Sequence, residues 1–142
     1  MNAGPAAGAS AAEGDLEVDV AVCPVVGPEV IMGSTRMKSG TAEKLILNMI
    51  STAAMVRLGK IYGNLMVDLR ATSRKLAERA KRLVIMTVGV DYHGATQLLD
   101  AAGGRVKTAI VIGRLGVTRE EAEARLQAAG GFVRRALGED DR

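Results

Sequence analysis

Two stretches in the last third of the chain carry one pattern twice. Gly89-Val90, Ala95, Leu99, Ala101-Ala102-Gly103-Gly104, Val106 and Ala109 reappear 27 residues later, from Gly116 to Ala136, as ten identities, with Asp91 matched by Thr118. A unit repeated at such a spacing is one supersecondary element that buries its apolar face only by packing on its neighbour. Each copy holds a capping residue (Asp91, Thr118), a helical stretch, a glycine pair and a second helix. Thr118-Arg119-Glu120-Glu121 has the form of a capping box. Glycine pairs end helices by adopting positive φ. Residues 89–137 are therefore expected to form a small helical bundle of two hairpins, followed by a polar tail over 138–142.

Before the repeat, Leu65, Leu69, Leu76 and Leu83 recur at steps of four and seven. They predict a connecting helix over 65–88 that is capped by Asn64 and follows a connector over Lys60–Asn64. Its other face holds Arg70, Arg74, Lys75, Arg79, Lys81 and Arg82 against Glu78, a net charge of +5. The whole chain carries only +3, and its aromatic residues are two tyrosines and one phenylalanine. Nucleic-acid modules that read bases rely on stacking aromatics, so no nucleic-acid partner is expected and the basic face is assigned to solvent.

Further upstream, Ala42 to Leu58 reads as a helix with Thr41 as N-cap, Glu43 in its first turn and Gly59 closing its end. Leu45, Ile46, Leu47, Met49, Ile50, Met55, Val56 and Leu58 cover most of its circumference. A helix apolar all round is covered on several sides, so it demands packing partners. Val18 to Cys23 alternates and then turns apolar, which predicts one short strand ending at Pro24. A single strand needs a partner for its edges. Cys23, the one cysteine, sits in this run and is expected as a small core residue, as are Met49, Met55, Met66 and Met86. Residues 1–15, rich in Ala and Gly, read as a disordered leader. No apolar run approaches the ~18 residues of a membrane span, and no secretory signal is evident, so a cytoplasmic location without membrane contact is expected.

The densest chemistry lies at Gly33-Ser34-Thr35-Arg36-Met37-Lys38-Ser39-Gly40-Thr41, ahead of the apolar helix. Orphan N–H groups and the macrodipole make a helix start favourable to anions; Arg36 and Lys38 add charge, and Ser34, Thr35, Ser39 and Thr41 add hydroxyls. The pattern suits a phosphate or a sugar phosphate. It is not a P-loop, because Lys38 follows Met37 rather than glycine, and no dinucleotide-binding glycine motif follows the strand. Glu29, just after Gly27-Pro28, reads either as a general base or sugar-hydroxyl acceptor, or as an exposed turn carboxylate. His93 is the only histidine and is expected at a helix cap or surface. With one cysteine and one histidine, no zinc site is expected.

Three strings make the chain recognisable: Val25-Val26-Gly27-Pro28-Glu29-Val30, Gly33 to Ala42, and Leu58-Gly59-Lys60-Ile61-Tyr62-Gly63-Asn64-Leu65-Met66-Val67-Asp68. They closely resemble the N-acetylmuramic acid 6-phosphate etherases, and the related glucokinase regulatory proteins share the Gly-Ser-Thr-Arg-Met-Lys run. The resemblance extends over residues 18–137. It implies a sugar isomerase (SIS) domain, an α/β fold with a parallel sheet, followed by a helical C-terminal domain. It also implies cleavage of the lactyl ether of N-acetylmuramic acid 6-phosphate, by elimination and hydration, to N-acetylglucosamine 6-phosphate and D-lactate. That activity is a carbon–oxygen lyase reaction of cell-wall sugar recycling, run by two glutamates without metal or organic cofactor, in enzymes that are usually dimers.

The resemblance is to the later part of such a protein. The family's first strands, serine-rich phosphate loop and glutamate-bearing region lie upstream, where this chain has its Ala/Gly-rich leader. The expected fold class is thus mainly α: a remnant of an α/β SIS fold with one short strand over 16–64, a connecting helix, and a small helical bundle. The expected function is that of a truncated etherase without the catalytic glutamates, with a non-catalytic sugar-phosphate-sensing regulator as the alternative. No catalytic residue is assigned. Ser34, Thr35, Arg36 and Lys38 match the family signature and are expected near the sugar phosphate. The expected partners are that substrate and a second copy or a complementing SIS half; no cofactor or metal is expected.

Overall fold

The computed structural model describes residues 19–139. The expected leader over 1–15 and residues 140–142 lie outside them. The chain divides into two units, Met1–Met49 and Ile50–Arg142. The fold is mainly helical, with six helices and a single two-stranded hairpin among the described residues.

In the first unit, residues 19–30 run without regular structure, and the strand expected over Val18–Cys23 does not form across its described part, 19–23. Val20 is 78% exposed and Cys23 is exposed, so the cysteine is a surface residue here and not the core residue expected. The physical reason is the one that made a lone strand doubtful: an unpaired edge has no ladder to join. The unit ends in the first part of helix α1 (Lys38–Arg57), which starts four residues earlier than Thr41 as cap would allow. None of its 20 residues is buried, and Leu45, Leu47, Met49, Ile50 and Val56 are all more than half exposed or at that mark. The expected demand for cover is real and is not met among the described residues. Met49 and, in the second unit, Met86 are likewise exposed rather than in a core, while Met55 and Met66 are half-buried.

The second unit opens within α1, at Ile50, and continues past its end at Arg57. Lys60 N–H donates to the Met55 carbonyl at 3.1 Å, and Gly59 packs against the Phe132 ring so closely that a Cβ there would stand 3.0 Å from it. Strands β1 (Ile61–Tyr62) and β2 (Leu65–Met66) then pair antiparallel, Ile61 opposite Met66 and Tyr62 opposite Leu65. This corrects the helix expected from residue 65. Gly63-Asn64 is a two-residue hairpin connection, with Gly63 at φ +59°, and not a helix cap. Helix α2 (Arg74–Val88) begins only after Ser73, whose side chain accepts from the Leu76 N–H, and it buries Ala80, Leu83 and Val84.

The repeat becomes α3 (Tyr92–Ala101), α4 (Val106–Leu115), α5 (Arg119–Ala128) and α6 (Val133–Ala136). Asp91 caps α3 through the Gly94 N–H, and Thr118 with Glu121 forms a full capping box on α5. The turns match bond for bond. Gly104 N–H donates to Leu99 O at 2.8 Å, and Gly131 N–H, 27 residues on, donates to Leu126 O at 2.7 Å. Both glycine pairs hold positive φ (+61° and +76°; +63° and +81°), a region costly for any residue with a Cβ. Burial repeats too: Ala95 and Ala122, Leu99 and Leu126, Val106 and Val133, Ala109 and Ala136 are all buried. With Ile110, Val111, Val67 and the α2 residues they make one core. The basic face of α2 is partly tied down, since Lys81 donates to Tyr92 Oη at 2.7 Å and pairs with Glu78 at 3.4 Å. Glu139 is tied in as well, accepting from Tyr62 Oη at 2.9 Å and pairing with Arg114 at 3.2 Å. No helix among the described residues is long and apolar enough to cross a membrane.

Candidate functional site

The residues singled out by sequence cluster around the start of α1, and Glu29 organises them. Gly27-Pro28 turns the chain so that the Glu29 carboxylate meets the first N–H groups of the helix. One oxygen accepts from Lys38 N at 3.0 Å and from Ser39 N at 3.0 Å; the other accepts from Lys38 N at 3.1 Å. The cap that Thr41 was expected to supply therefore comes from a carboxylate nine residues upstream, and this explains the earlier helix start. Those two backbone bonds, first from Ser39 and then from Lys38, hold the Glu29 carboxyl below its ordinary value, with the Lys38 charge adding to them. A carboxylate so bonded serves as the cap of α1.

The two cations of the loop have different surroundings. The Lys38 ammonium turns back and donates to the Pro28 carbonyl at 2.7 Å. The Arg36 guanidinium is exposed and makes no hydrogen bond or ion pair among the described residues. Between them the backbone is folded on itself. Ser34 N–H donates to Ile31 O at 3.0 Å, Arg36 N–H to Ser34 Oγ at 3.4 Å, and Gly40 N–H to Thr35 O at 2.9 Å. The structure thus brings Ser34, Thr35, Arg36 and Lys38 into one short loop. Beside it Val22, Pro24, Val26, Ser39, Glu43, Ile46 and Leu47 line an open groove of about 360 Å³.

A second concavity, about 470 Å³, lies within the other unit between Val67–Arg70 and the start of α4. Sequence reasoning gave no hint of it, because Asp68 and Lys107 come from segments without shared periodicity. Its charges mostly satisfy each other: Asp68 pairs with Lys60 at 3.3 Å and with Lys107 at 3.4 Å, Lys107 also donates to Gly131 O, and Arg105 pairs with Glu123. His93 is exposed in the first turn of α3, its ring nitrogen 3.1 Å from Gln97 Nε2, and no cluster of metal-ligating side chains occurs among the described residues.

No protein-family model matches the chain. Curated relatives are nonetheless close. An N-acetylmuramic acid 6-phosphate etherase of Salinibacter ruber is 62% identical over 127 residues, which is 89% of this chain and 41% of that protein. Proteins of the same name from Deinococcus radiodurans and Mycolicibacterium smegmatis are 55% and 54% identical over 84% of this chain and 40% of their own length. The chain spans about two-fifths of the length of the curated relatives it matches. By sequence it is a homologue of one part of the N-acetylmuramic acid 6-phosphate etherases.

Proposed function

We propose that this chain acts in the cleavage of N-acetylmuramic acid 6-phosphate as the substrate-proximal later part of an etherase. The observation that carries the proposal is the 62% identity over nearly nine-tenths of the chain to a protein of that name. The reaction is a carbon–oxygen lyase step of cell-wall sugar recycling in the cytoplasm. Elimination expels D-lactate from the sugar, and water then adds back to give N-acetylglucosamine 6-phosphate. Such chemistry needs a base, an acid and a group that holds the phosphate. In this proposal the chain supplies the last of these from the SIS part of the fold, through Ser34, Thr35, Arg36 and Lys38. The acid and base come from glutamates outside it, because Glu29 is committed as a helix cap.

The same proposal gives α1 its missing cover. The bare apolar side chains Leu45, Leu47, Met49 and Ile50, which point to several sides of α1, are what the remainder of the SIS fold covers. It arrives in a complementing polypeptide or in a homodimer. Calorimetric titration with N-acetylmuramic acid 6-phosphate tests the assignment, with the unphosphorylated sugar as control. Binding that requires the phosphate, without D-lactate release by the purified chain, is expected. Equal affinity for the two sugars would overturn the phosphate role, and turnover at the rate of a full-length etherase would overturn the placement of acid and base elsewhere.

A further inference from the structure

The loop between Pro28 and Ser39 is closed at its base by ties from Pro28 and Glu29 to Lys38 and Ser39, and that closure divides the labour between its cations. Resting on the sugar-phosphate reading above, we infer that Glu29 is the positioning residue of this loop, that Lys38 is consumed in holding it shut, and that Arg36 alone is the cation offered to the phosphate.

Three facts carry this. First, the ties at the loop base all join residues 28–29 to residues 38–39: the Lys38 and Ser39 N–H groups to the Glu29 carboxylate, and the Lys38 ammonium to the Pro28 carbonyl. Such short closed loops hold their tips in place through their ends. Second, the Lys38 ammonium is already 2.7 Å from a backbone oxygen and near a carboxylate, so moving it to a ligand would give up one tie of the closure, while the two amide ties to Glu29 do not need it. Third, Arg36 sits within the loop with its guanidinium unpaired among the described residues. Its backbone is fixed by its bond to Ser34 Oγ, and the adjacent Thr35 carbonyl is fixed by Gly40 N–H. A planar guanidinium is also the better partner for phosphate, because it bonds two oxygens at once. The helix start itself is not the ligand site in this arrangement, since Glu29 already fills it.

The inference has a sign that plain electrostatics does not share. Glu29 is a negative charge within this loop, so if it acted only through its charge, Glu29→Gln would tighten binding of a phosphate. If it positions the loop, Glu29→Gln weakens binding, and Glu29→Asp, which keeps the charge and both oxygens, recovers part of the loss. The experiment titrates the full chain and its variants with N-acetylmuramic acid 6-phosphate, and follows amide exchange at Lys38 and Ser39 in parallel. Expected are a loss of about tenfold or more for Arg36→Ala with unchanged exchange, and a change within about fivefold for Lys38→Met. For Glu29→Gln, weaker binding with faster exchange at both amides is expected. Tighter binding by Glu29→Gln, or a larger loss for Lys38→Met than for Arg36→Ala, would overturn the assignment. If the unaltered chain ignores the sugar phosphate, the functional reading fails and the roles given to Arg36 and Lys38 fail with it. The closure is then judged by exchange alone, and unchanged exchange in Glu29→Gln would refute it. Because all three residues lie in the 1–49 unit, far-ultraviolet circular dichroism of the full chain, which registers the 20 residues of α1, shows that the variants keep that helix.

Discussion

Helices α1 and α4 are both apolar, and they have opposite fates. The 20 residues of α1 bury none of their side chains, whereas the ten residues of α4 bury Val106, Thr108, Ala109, Ile110 and Val111. Apolarity alone therefore does not make a core. What α4 has, and α1 lacks among the described residues, is a set of neighbours encoded in the same stretch of chain. The repeat places α3, α5 and α6 around α4 through turns a few residues long. A large buried side chain contributes through the contacts of its surroundings, and an exposed one of the same kind contributes almost nothing.

The sharpest way to break that contrast is one substitution made in both helices. Ile110 is 0% exposed and Ile50 is 58% exposed. Ile110→Ala is expected to cost about 2–5 kcal/mol, through lost transfer energy and the cavity left behind. Ile50→Ala is expected to stay within about 0.5 kcal/mol. Urea denaturation of each variant of the chain measures both. Comparable costs would mean that α1 is packed in solution against something that buries Ile50.

The two copies of the repeat offer a finer comparison. Gly104 and Gly131 sit at equivalent positions with φ of +76° and +81°, and a Cβ at either would meet nothing closer than 3.7 Å. Alanine at each is thus penalised by backbone conformation alone, at about 1–2 kcal/mol. Equal losses in urea melts would support equivalent roles for the copies, and a large gap would show that one turn is held by its surroundings. Below that in size comes Thr118→Ala, which opens the capping box of α5 and is expected to cost about 1 kcal/mol by the same measurement.

How much of this could be read from sequence follows the range of the interactions. The glycine pairs, Asp91 and Thr118 act on residues three to five positions away, so their pattern carries the turns and caps directly. The hairpin at Ile61–Met66 was masked by the Leu65, Leu69, Leu76 periodicity, although Gly63-Asn64 is a hairpin dipeptide; two-residue strands leave too short an alternation to compete with a leucine stripe. At the candidate site the loop residues were legible as a cluster of cations and hydroxyls. Their arrangement was not, because the cap of α1 comes from Glu29, and no local signal links a carboxylate to amides nine residues away. The strand expected over Val18–Cys23 and the buried Cys23 failed for a related reason: both required partners that the described residues do not supply.

The smallest effect concerns that distant cap. Glu29 has its carboxyl held below the ordinary value of 4.5 by the Ser39 and Lys38 amides. A group whose folded-state pKa is depressed stabilises the structure above its unfolded value and loses that contribution as pH falls through the folded one. The closure of the loop should therefore persist through the range where ordinary carboxylates take up protons, and open only below it. In an NMR titration, the amide resonances of Lys38 and Ser39 should move together with the Glu29 carboxyl at one midpoint below 4.5, while the amides of Gly104 and Gly131, whose acceptors are backbone carbonyls, do not follow it. A midpoint at or above the ordinary value would show that the carboxylate is not bonded to the helix start. The loop would then be held, as the bundle turns are, by its own backbone.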